Sequence, residues 1–120
     1  MYLENSKTII VKIGSSLIID DKKIIRKKWL LEFAKDIKAL RKKNKNIIIV
    51  SSGAIALGCK KLNITKKKLK IDQSQAVASV GQIELMNLFK EIFAIQKINI
   101  SQILLTLEDT EIRRRAINAK

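Results

Sequence analysis

Two short runs of β-branched residues, separated by an amphipathic helical pattern, limit this chain more than any other feature. Residues 7–13 (KTIIVKI) and 46–51 (NIIIVS) have the composition of strands that are buried on both faces of a sheet. Between them lies the pattern of an amphipathic helix over residues 24–43, with apolar side chains at helical spacing: Leu30, Phe33, Ile37 and Leu40. Antiparallel neighbours can be joined by a short turn, whereas parallel strands need a long crossover, which is usually a helix. Two strands joined through a helix are therefore expected to pair in parallel. The pattern therefore predicts an α/β protein.

The second half of the chain continues this alternation of strands and helices. The predicted segments are a short helix over residues 54–62, a lysine-rich connection over 63–70, a long helix over 72–96, a strand over 101–106 and a helix from Asp109. The order β-α-β-α-α-β-α predicts a three-layer α/β/α sandwich with a mainly parallel sheet. The last helix has no cap or breaker before Lys120, and the third strand would be an exposed edge. We therefore expect a truncated, incomplete domain.

The composition excludes several kinds of chemistry. The chain has 120 residues, no histidine and a single cysteine, Cys59. Ser–His–Asp and Cys–His mechanisms, an ordinary zinc site and an internal disulfide are therefore impossible. No apolar run approaches the ~18 residues that cross a bilayer, and the N-terminus lacks a signal-peptide pattern. We expect a cytoplasmic protein that does not contact a membrane.

The chain is strongly basic, with 25 Lys+Arg against 11 Asp+Glu and a formal charge of +14. Clusters such as residues 66–70 and 113–115 have the charge needed to bind nucleic-acid phosphates. However, proline is absent, which indicates a bias of the whole composition, and aromatic residues make up only 4%, so base-stacking surfaces are scarce. We interpret the clusters, including Arg26 to Lys28, as solvated surfaces. A basic, non-catalytic phosphate- or nucleic-acid-binding module remains the alternative.

Two of the four glycines, Gly14 and Gly53, directly follow predicted strands and lie beside serines. Open parallel sheets bind ligands at the carboxyl ends of their strands. Glycine allows the backbone to approach a ligand there, and the N–H groups that begin the next helix favour anions. The two exits predict one anion-binding floor, although ordinary turns with Ser51 or Ser52 as a helix N-cap would give the same pattern. The remaining glycines lie inside helical patterns and are expected to allow close packing: Gly58 and Gly81.

Lys12 is the most informative charge. It lies among isoleucine and valine one residue before the first predicted strand ends, where a buried ammonium without a partner would be costly. Its side chain either extends toward a phosphate bound by residues 14–16 or reaches solvent from the strand end. Both interpretations remain open on physical grounds. The phosphate-loop patterns G-x-x-x-x-G-K-[ST] and G-x-G-x-x-G are absent, so neither a Walker-type nor a Rossmann-type site is predicted.

Several segments resemble the amino acid kinase family, in order and at suitable spacing: residues 11–16 (VKIGSS), 49–58 (IVSSGAIALG), 78–82 (ASVGQ), 102–106 (QILLT) and 115–120. Lys-x-Gly-Ser-Ser is typical of the whole family. Ser-Gly-Ala-Ile-Ala-x-Gly with Val-Gly-Gln downstream is typical of its glutamate-phosphorylating branch. The likeness implies that residues 1–120 are the N-terminal portion of a single amino acid kinase domain.

The resemblance also implies a reaction, in which the γ-phosphoryl group of ATP is transferred to the side-chain carboxylate of L-glutamate. The product, glutamyl 5-phosphate, begins proline biosynthesis. By resemblance, the site residues are Lys12 as catalytic and phosphate-binding lysine, Gly14 and Ser15 as the ATP phosphate turn, and Ser52, Gly53 and Ala54 as the glutamate turn. The family usually has threonine where Ser15 stands, but the hydroxyl is kept. Another member of the family, with a different carboxylate, carbamate or nucleotide acceptor, is the alternative.

The implied cofactors are ATP and Mg²⁺, with the Mg²⁺ site outside this chain, and the implied whole protein is a homo-oligomer. Phosphoryl transfer depends on alignment and charge stabilisation and requires no protein nucleophile, so the lack of histidine is no obstacle. Further groups of the glutamate site, the nucleotide pocket and a second lysine are expected beyond residue 120. We therefore expect the isolated chain neither to bind ATP well nor to turn over.

Overall fold

The computed structural model describes residues 7–103, except for the side chain of Lys68. The elements are β1 (Thr8–Ile13), α1 (Lys27–Lys42), β2 (Asn46–Ser51), α2 (Ala54–Leu62) and α3 (Ile71–Ile95), with 3₁₀ turns at Ser15–Leu17 and Lys66–Lys68. The predicted order of the first five elements is confirmed. The predicted bounds of β2 and α2 are those observed, and α3 begins and ends one residue earlier than predicted.

The two strands pair in parallel, as predicted. Ile13 lies opposite Ser51 and Lys12 lies opposite Val50, so both strands end at the same edge of the sheet. Beyond the last pair, the Ser52 N–H donates a hydrogen bond of 3.1 Å to the Ile13 carbonyl. The register therefore carries the two chain segments that follow the strands to one place.

The hydrophobic core lies against one face of this sheet. Ile13 is 1% exposed, and Ile49 packs against a cluster to which all three helices contribute. On the opposite face, Ile10, Ile48 and Val50 are 67%, 51% and 49% exposed. The prediction that both strands are buried on both faces is therefore wrong for the described residues. The reason is that the described helices pack together on the core side; a third layer on the other side remains a prediction.

Helix α1 begins at Lys27, three residues after the predicted start. The preceding isoleucines form a short antiparallel pair, Ile19 with Ile25, instead of a first helical turn. Asp20 stabilises this reversal, because its carboxylate accepts backbone N–H bonds of 2.9 Å from residues 22 and 24. The aspartate side chain thus bonds nearby backbone N–H groups and competes with helix formation. The core-facing residues of α1 agree with the predicted period: Leu30, Ala34 and Ile37 are buried.

Helices α2 and α3 pack at backbone contact, as expected from their glycines. A β-carbon on Gly81 would overlap the carbonyl oxygen of Ala54, and one on Gly58 would overlap the carbonyl oxygen of Val77. Cys59, the residue after Gly58, is 2% exposed and free, which agrees with a small core residue. The start of α2 is therefore fixed against α3.

Some predicted elements lie at or beyond the limit of the described residues. Residues 101–103 are not in a strand. The rest of the strand predicted over 101–106, and the helix predicted from Asp109, lie outside the described residues. Within residues 7–103, no helix is both long and apolar enough to cross a membrane.

Candidate functional site

The exit from β1 is an open 3₁₀ turn. Gly14 has φ −75° and ψ 160°, and Ser15–Leu17 follow as a single turn without a buried residue. The Leu17 N–H donates to the Gly14 carbonyl at 3.1 Å. Across residues 7–103, the N–H groups of Ser15 and Ser16 have no acceptor. Two adjacent unpaired donors of this kind are suited to bind an anion.

The exit from β2 is a sharp glycine turn that starts a helix. Gly53 is buried and has φ +120°, a conformation that favours glycine, and Ala54 is the first residue of α2. The first N–H group of α2 that finds a backbone acceptor is that of Leu57, which donates to the Gly53 carbonyl at 2.9 Å. The N–H groups of residues 54–56 have no acceptor within the described part of the chain. They form the positive end of α2.

No serine side chain caps α2. Gly53 is the N-cap residue, and the hydroxyl of Ser51 donates instead to the Ser52 carbonyl at 3.0 Å. The alternative in which Ser51 or Ser52 is a side-chain N-cap is therefore wrong. Ser52 itself is exposed, so its hydroxyl is accessible to a ligand.

The two turns are in contact with each other. A β-carbon on Gly53 would lie 3.7 Å from the Cα of Ser15 and 3.5 Å from the Cδ1 of Ile18. The structure thus brings Gly14, Ser15 and the segment Ser52–Ala54 to one end of the sheet. N–H groups of two different turns therefore lie at this end without an acceptor among the described residues.

Lys12 lies at the same edge but on the other face of the sheet from the core. Its side chain is exposed, and it pairs in register with Val50. Its ammonium makes no hydrogen bond or ion pair with any of the residues that the structure describes. The ammonium is therefore available to a ligand at the strand ends, while its contact with a phosphate remains a prediction.

Gly14 and Gly53 differ in whether the backbone requires glycine. At Gly53 the positive φ demands it. At Gly14 the backbone is ordinary extended chain, and a β-carbon would meet nothing within 4 Å. Among residues 7–103, nothing requires glycine at position 14, and the space beside its Cα is open.

Arg26 was not among the residues expected in the site. Its Nε donates a hydrogen bond of 2.7 Å to the carbonyl of Ser16, in the turn that follows β1. In the sequence it is the first of three consecutive basic residues, a pattern that is typical of a solvated surface. What separates Arg26 from the other basic residues is its place just after the chain reversal of residues 19–25, which returns it to the turn after Gly14. Only the fold reveals this placement.

The described residues supply cations and N–H groups but no metal cluster. Within residues 7–103, no three carboxylate, cysteine or histidine side chains converge in a group that could hold a metal ion. The arrangement fits a ligand with negative charge, such as the phosphates of ATP or a carboxylate. Its N–H groups and ammonium are suited to the binding and alignment of anions.

Comparison with known proteins agrees with this class of site. Residues 7–120 match the amino acid kinase family, and the chain belongs to that family. Across all 120 residues it is 77% identical to the glutamate 5-kinase of Pelagibacter ubique (strain HTCC1062), covering 100% of this chain and 33% of that protein. It is 48% identical over 118 residues to the glutamate 5-kinase of Sinorhizobium fredii (strain NBRC 101917 / NGR234), and 44% over 119 residues to that of Ruegeria sp. (strain TM1040). These matches cover 98% of this chain and 30% and 32% of the two relatives. The chain thus spans about a third of the length of the curated relatives it matches.

Proposed function

We propose that this chain is part of an enzyme that transfers the γ-phosphoryl group of ATP to the side-chain carboxylate of L-glutamate. The product is glutamyl 5-phosphate, and the reaction is the first step of proline biosynthesis. The observation that carries the proposal is the contact between the two strand-exit turns, which place two sets of unpaired N–H groups side by side. The name glutamate 5-kinase, shared by the relatives, supports glutamate as the acceptor.

The two turns have separate tasks in the proposed reaction. Lys12 and the turn of Gly14 and Ser15 bind the terminal phosphates of ATP, and Ser52, Gly53 and Ala54 bind glutamate. Both substrates are anions that repel each other, so the site must hold them close while offsetting their charge. Fixed N–H groups and an ammonium do this without rearranging during the reaction. Alignment of the attacking carboxylate with the γ-phosphorus supplies the rest.

ATP and Mg²⁺ are the proposed cofactors. The free donors of residues 15 and 16 and the exposed Lys12 suit the phosphates of ATP. Mg²⁺, when bound to the nucleotide, offsets charge on the β- and γ-phosphates. The residues described here offer it no cluster of carboxylates, so we assign none of them to the metal.

The experiment that tests the proposal measures phosphoryl transfer by the complete protein. Purified protein is supplied with ATP and Mg²⁺ and, in turn, L-glutamate, L-aspartate, N-acetyl-L-glutamate and UMP. We expect transfer to glutamate with a kcat/KM at least tenfold above that for each other acceptor. Transfer to another acceptor at a higher kcat/KM would keep the family assignment and overturn glutamate as the substrate.

The same assay on the isolated 120-residue chain is expected to show no turnover. An enzyme of amino-acid biosynthesis that consumes ATP is expected in the cytoplasm, and we propose that location and a homo-oligomer for the whole protein. Robust glutamate phosphorylation by the isolated chain would show that residues 1–120 already hold every group the reaction requires.

A further inference from the structure

We propose that Arg26 is a positioning residue that holds the turn of residues 14–17, here called the phosphate turn, in the conformation that binds ATP. The inference rests on the proposed function, since it assigns a task within the same site. It follows from the hydrogen bond between the Nε of Arg26 and the Ser16 carbonyl, which measures 2.7 Å.

The phosphate turn has little support of its own. None of the residues Ser15–Leu17 is buried, and no side chain caps the turn. Its backbone bonds run from the Leu17 N–H to the Gly14 carbonyl, 3.1 Å, and from the N–H groups of Ile18 and Ile19 to the Ser15 carbonyl, 3.0 Å each. A single exposed 3₁₀ turn with unpaired N–H groups opens easily. Preorganised phosphate binding therefore needs an external contact.

Arg26 provides that contact. Among residues 7–103, its side chain is the only one that makes a hydrogen bond to the phosphate turn. The guanidinium is planar and always ionised, and a bond from a charged donor is stronger than one between neutral groups. The bond thus links the turn to the segment that leads into α1.

The backbone of Arg26 is anchored in turn. Its N–H donates to the Ile18 carbonyl at 2.8 Å, and the Asp20 N–H donates to the Ile24 carbonyl at 2.9 Å. Ile18 is fully buried and Ile19 is 5% exposed, so this reversal is fixed to the core. The phosphate turn is therefore held at one end by β1 and at the other by the chain reversal of residues 19–25. The side chain of Arg26 bonds to Ser16, between these two ends.

The charge of Arg26 also favours an anion at this place. It forms no ion pair with the acidic residues that the structure describes, so its charge is not neutralised locally. A cation beside the phosphate turn raises the affinity for phosphates, and salt weakens this effect because the residue is exposed. Because Arg26 bonds to Ser16, in the phosphate turn, we assign its charge to ATP.

The test compares Arg26→Met with a matched control, Arg41→Met, in the complete protein. Arg41 is also exposed and also donates to a backbone carbonyl, that of Lys45 at 3.3 Å, but it lies before β2 at the opposite edge of the sheet. Each substitution removes one charge and one arginine–carbonyl bond. We expect Arg26→Met to raise the KM for ATP about fivefold or more, the size for one lost hydrogen bond at an exposed position, and to change the KM for glutamate less than twofold. Arg41→Met is expected to change neither value.

A second measurement is independent of catalysis. In Arg26→Met, hydrogen exchange at the N–H groups of Ile18 and Ile19, which both donate to the Ser15 carbonyl at 3.0 Å, is expected to accelerate at least fivefold relative to Arg41→Met. Unchanged exchange overturns the tether. Faster exchange with an unchanged KM for ATP overturns the link to ATP binding, while the proposed reaction stands.

Failure of the proposed function gives a different result. If wild-type protein transfers no phosphoryl group to glutamate, the proposed function fails, and the role of Arg26 is decided by the Kd for ATP. A Kd raised about fivefold or more in Arg26→Met alone supports the positioning role. Equal Kd values for the two variants overturn it.

Discussion

At the scale of single residues, Lys12 carries the largest expected effect on activity. Its exposed ammonium lies at the strand ends and has no partner among the described residues. In the complete protein, Lys12→Ala is expected to lower kcat/KM for phosphorylation of glutamate about 100-fold or more, because the cation that offsets the negative charge of the transition state is lost. Lys90→Ala, an exposed lysine on α3, is the control and is expected to leave the rate unchanged. If Lys12→Ala kept the kcat and both KM values of the wild-type protein, Lys12 would have no role in the mechanism.

Gly53 and Gly14 offer a prediction in which stability and activity separate. Gly53→Ala forces alanine to φ +120° and is expected to lower the free energy of unfolding by about 2 kcal/mol. Gly14→Ala has ordinary dihedral angles and open space, so its stability is expected to change by less than about 0.5 kcal/mol.

Despite that, Gly14→Ala is expected to raise the KM for ATP, because the added methyl group enters the space proposed for the phosphates. Urea denaturation and steady-state kinetics on both variants provide the measurements. An unchanged KM in a normally stable Gly14→Ala protein would show that no ligand approaches the backbone at Gly14.

At the scale of elements, the α2–α3 contact is expected to be the most sensitive to added volume. Gly81→Ala and Gly58→Ala each place a methyl group on a backbone carbonyl, which cannot turn aside as a side chain can. Each is expected to lower the free energy of unfolding by about 3 kcal/mol. Ala76→Ser, at an exposed position on α3, is the control and should change it by less than about 0.5 kcal/mol. Near-normal stability in either glycine variant would show that the helices lie further apart.

The elements also show how much of the fold the sequence predicts. β2 and α2 were predictable to the residue, because serine and glycine end an unbroken β-branched run and a short apolar helix follows. The start of α1 was not, because Ile24 and Ile25 continue the helical period while the carboxylate of Asp20 holds them in a reversal. Hydrogen bonds of this kind depend on three-dimensional geometry, which periodicity does not record.

The candidate site was predictable in the same partial way. Gly14 and Gly53 mark the two strand ends in the sequence, and parallel pairing then brings them to one edge. The contact between Ser15 and Gly53, and the bond from Arg26 to Ser16, depend on register and on the reversal before α1. No local pattern encodes either one.

At the scale of the whole molecule, the exposed face of the sheet predicts a further layer. Ile10, Ile48 and Val50 are apolar and largely exposed, and the relatives are about three times as long as this chain. In the complete protein, Ile10→Asn is expected to lower the free energy of unfolding by about 2 kcal/mol, because a polar group replaces a buried side chain.

In the isolated chain the same substitution is expected to change it by less than about 0.5 kcal/mol, since Ile10 is already exposed there. Thr8→Asn, on the same face of β1, is the control for both proteins. Equal effects of Ile10→Asn in the two proteins would mean that no third layer covers this face.

The most direct test of the whole account is a crystal structure of the complete protein with L-glutamate and a non-hydrolysable ATP analogue. We expect the γ-phosphate within hydrogen-bond distance of the Nζ of Lys12 and of the N–H groups of the phosphate turn. We expect the side-chain carboxylate of glutamate at the Ser52–Ala54 turn, beside the N–H groups of residues 54–56 and in line with the γ-phosphorus. Density for either substrate at another edge of the sheet, with both turns empty, would contradict it.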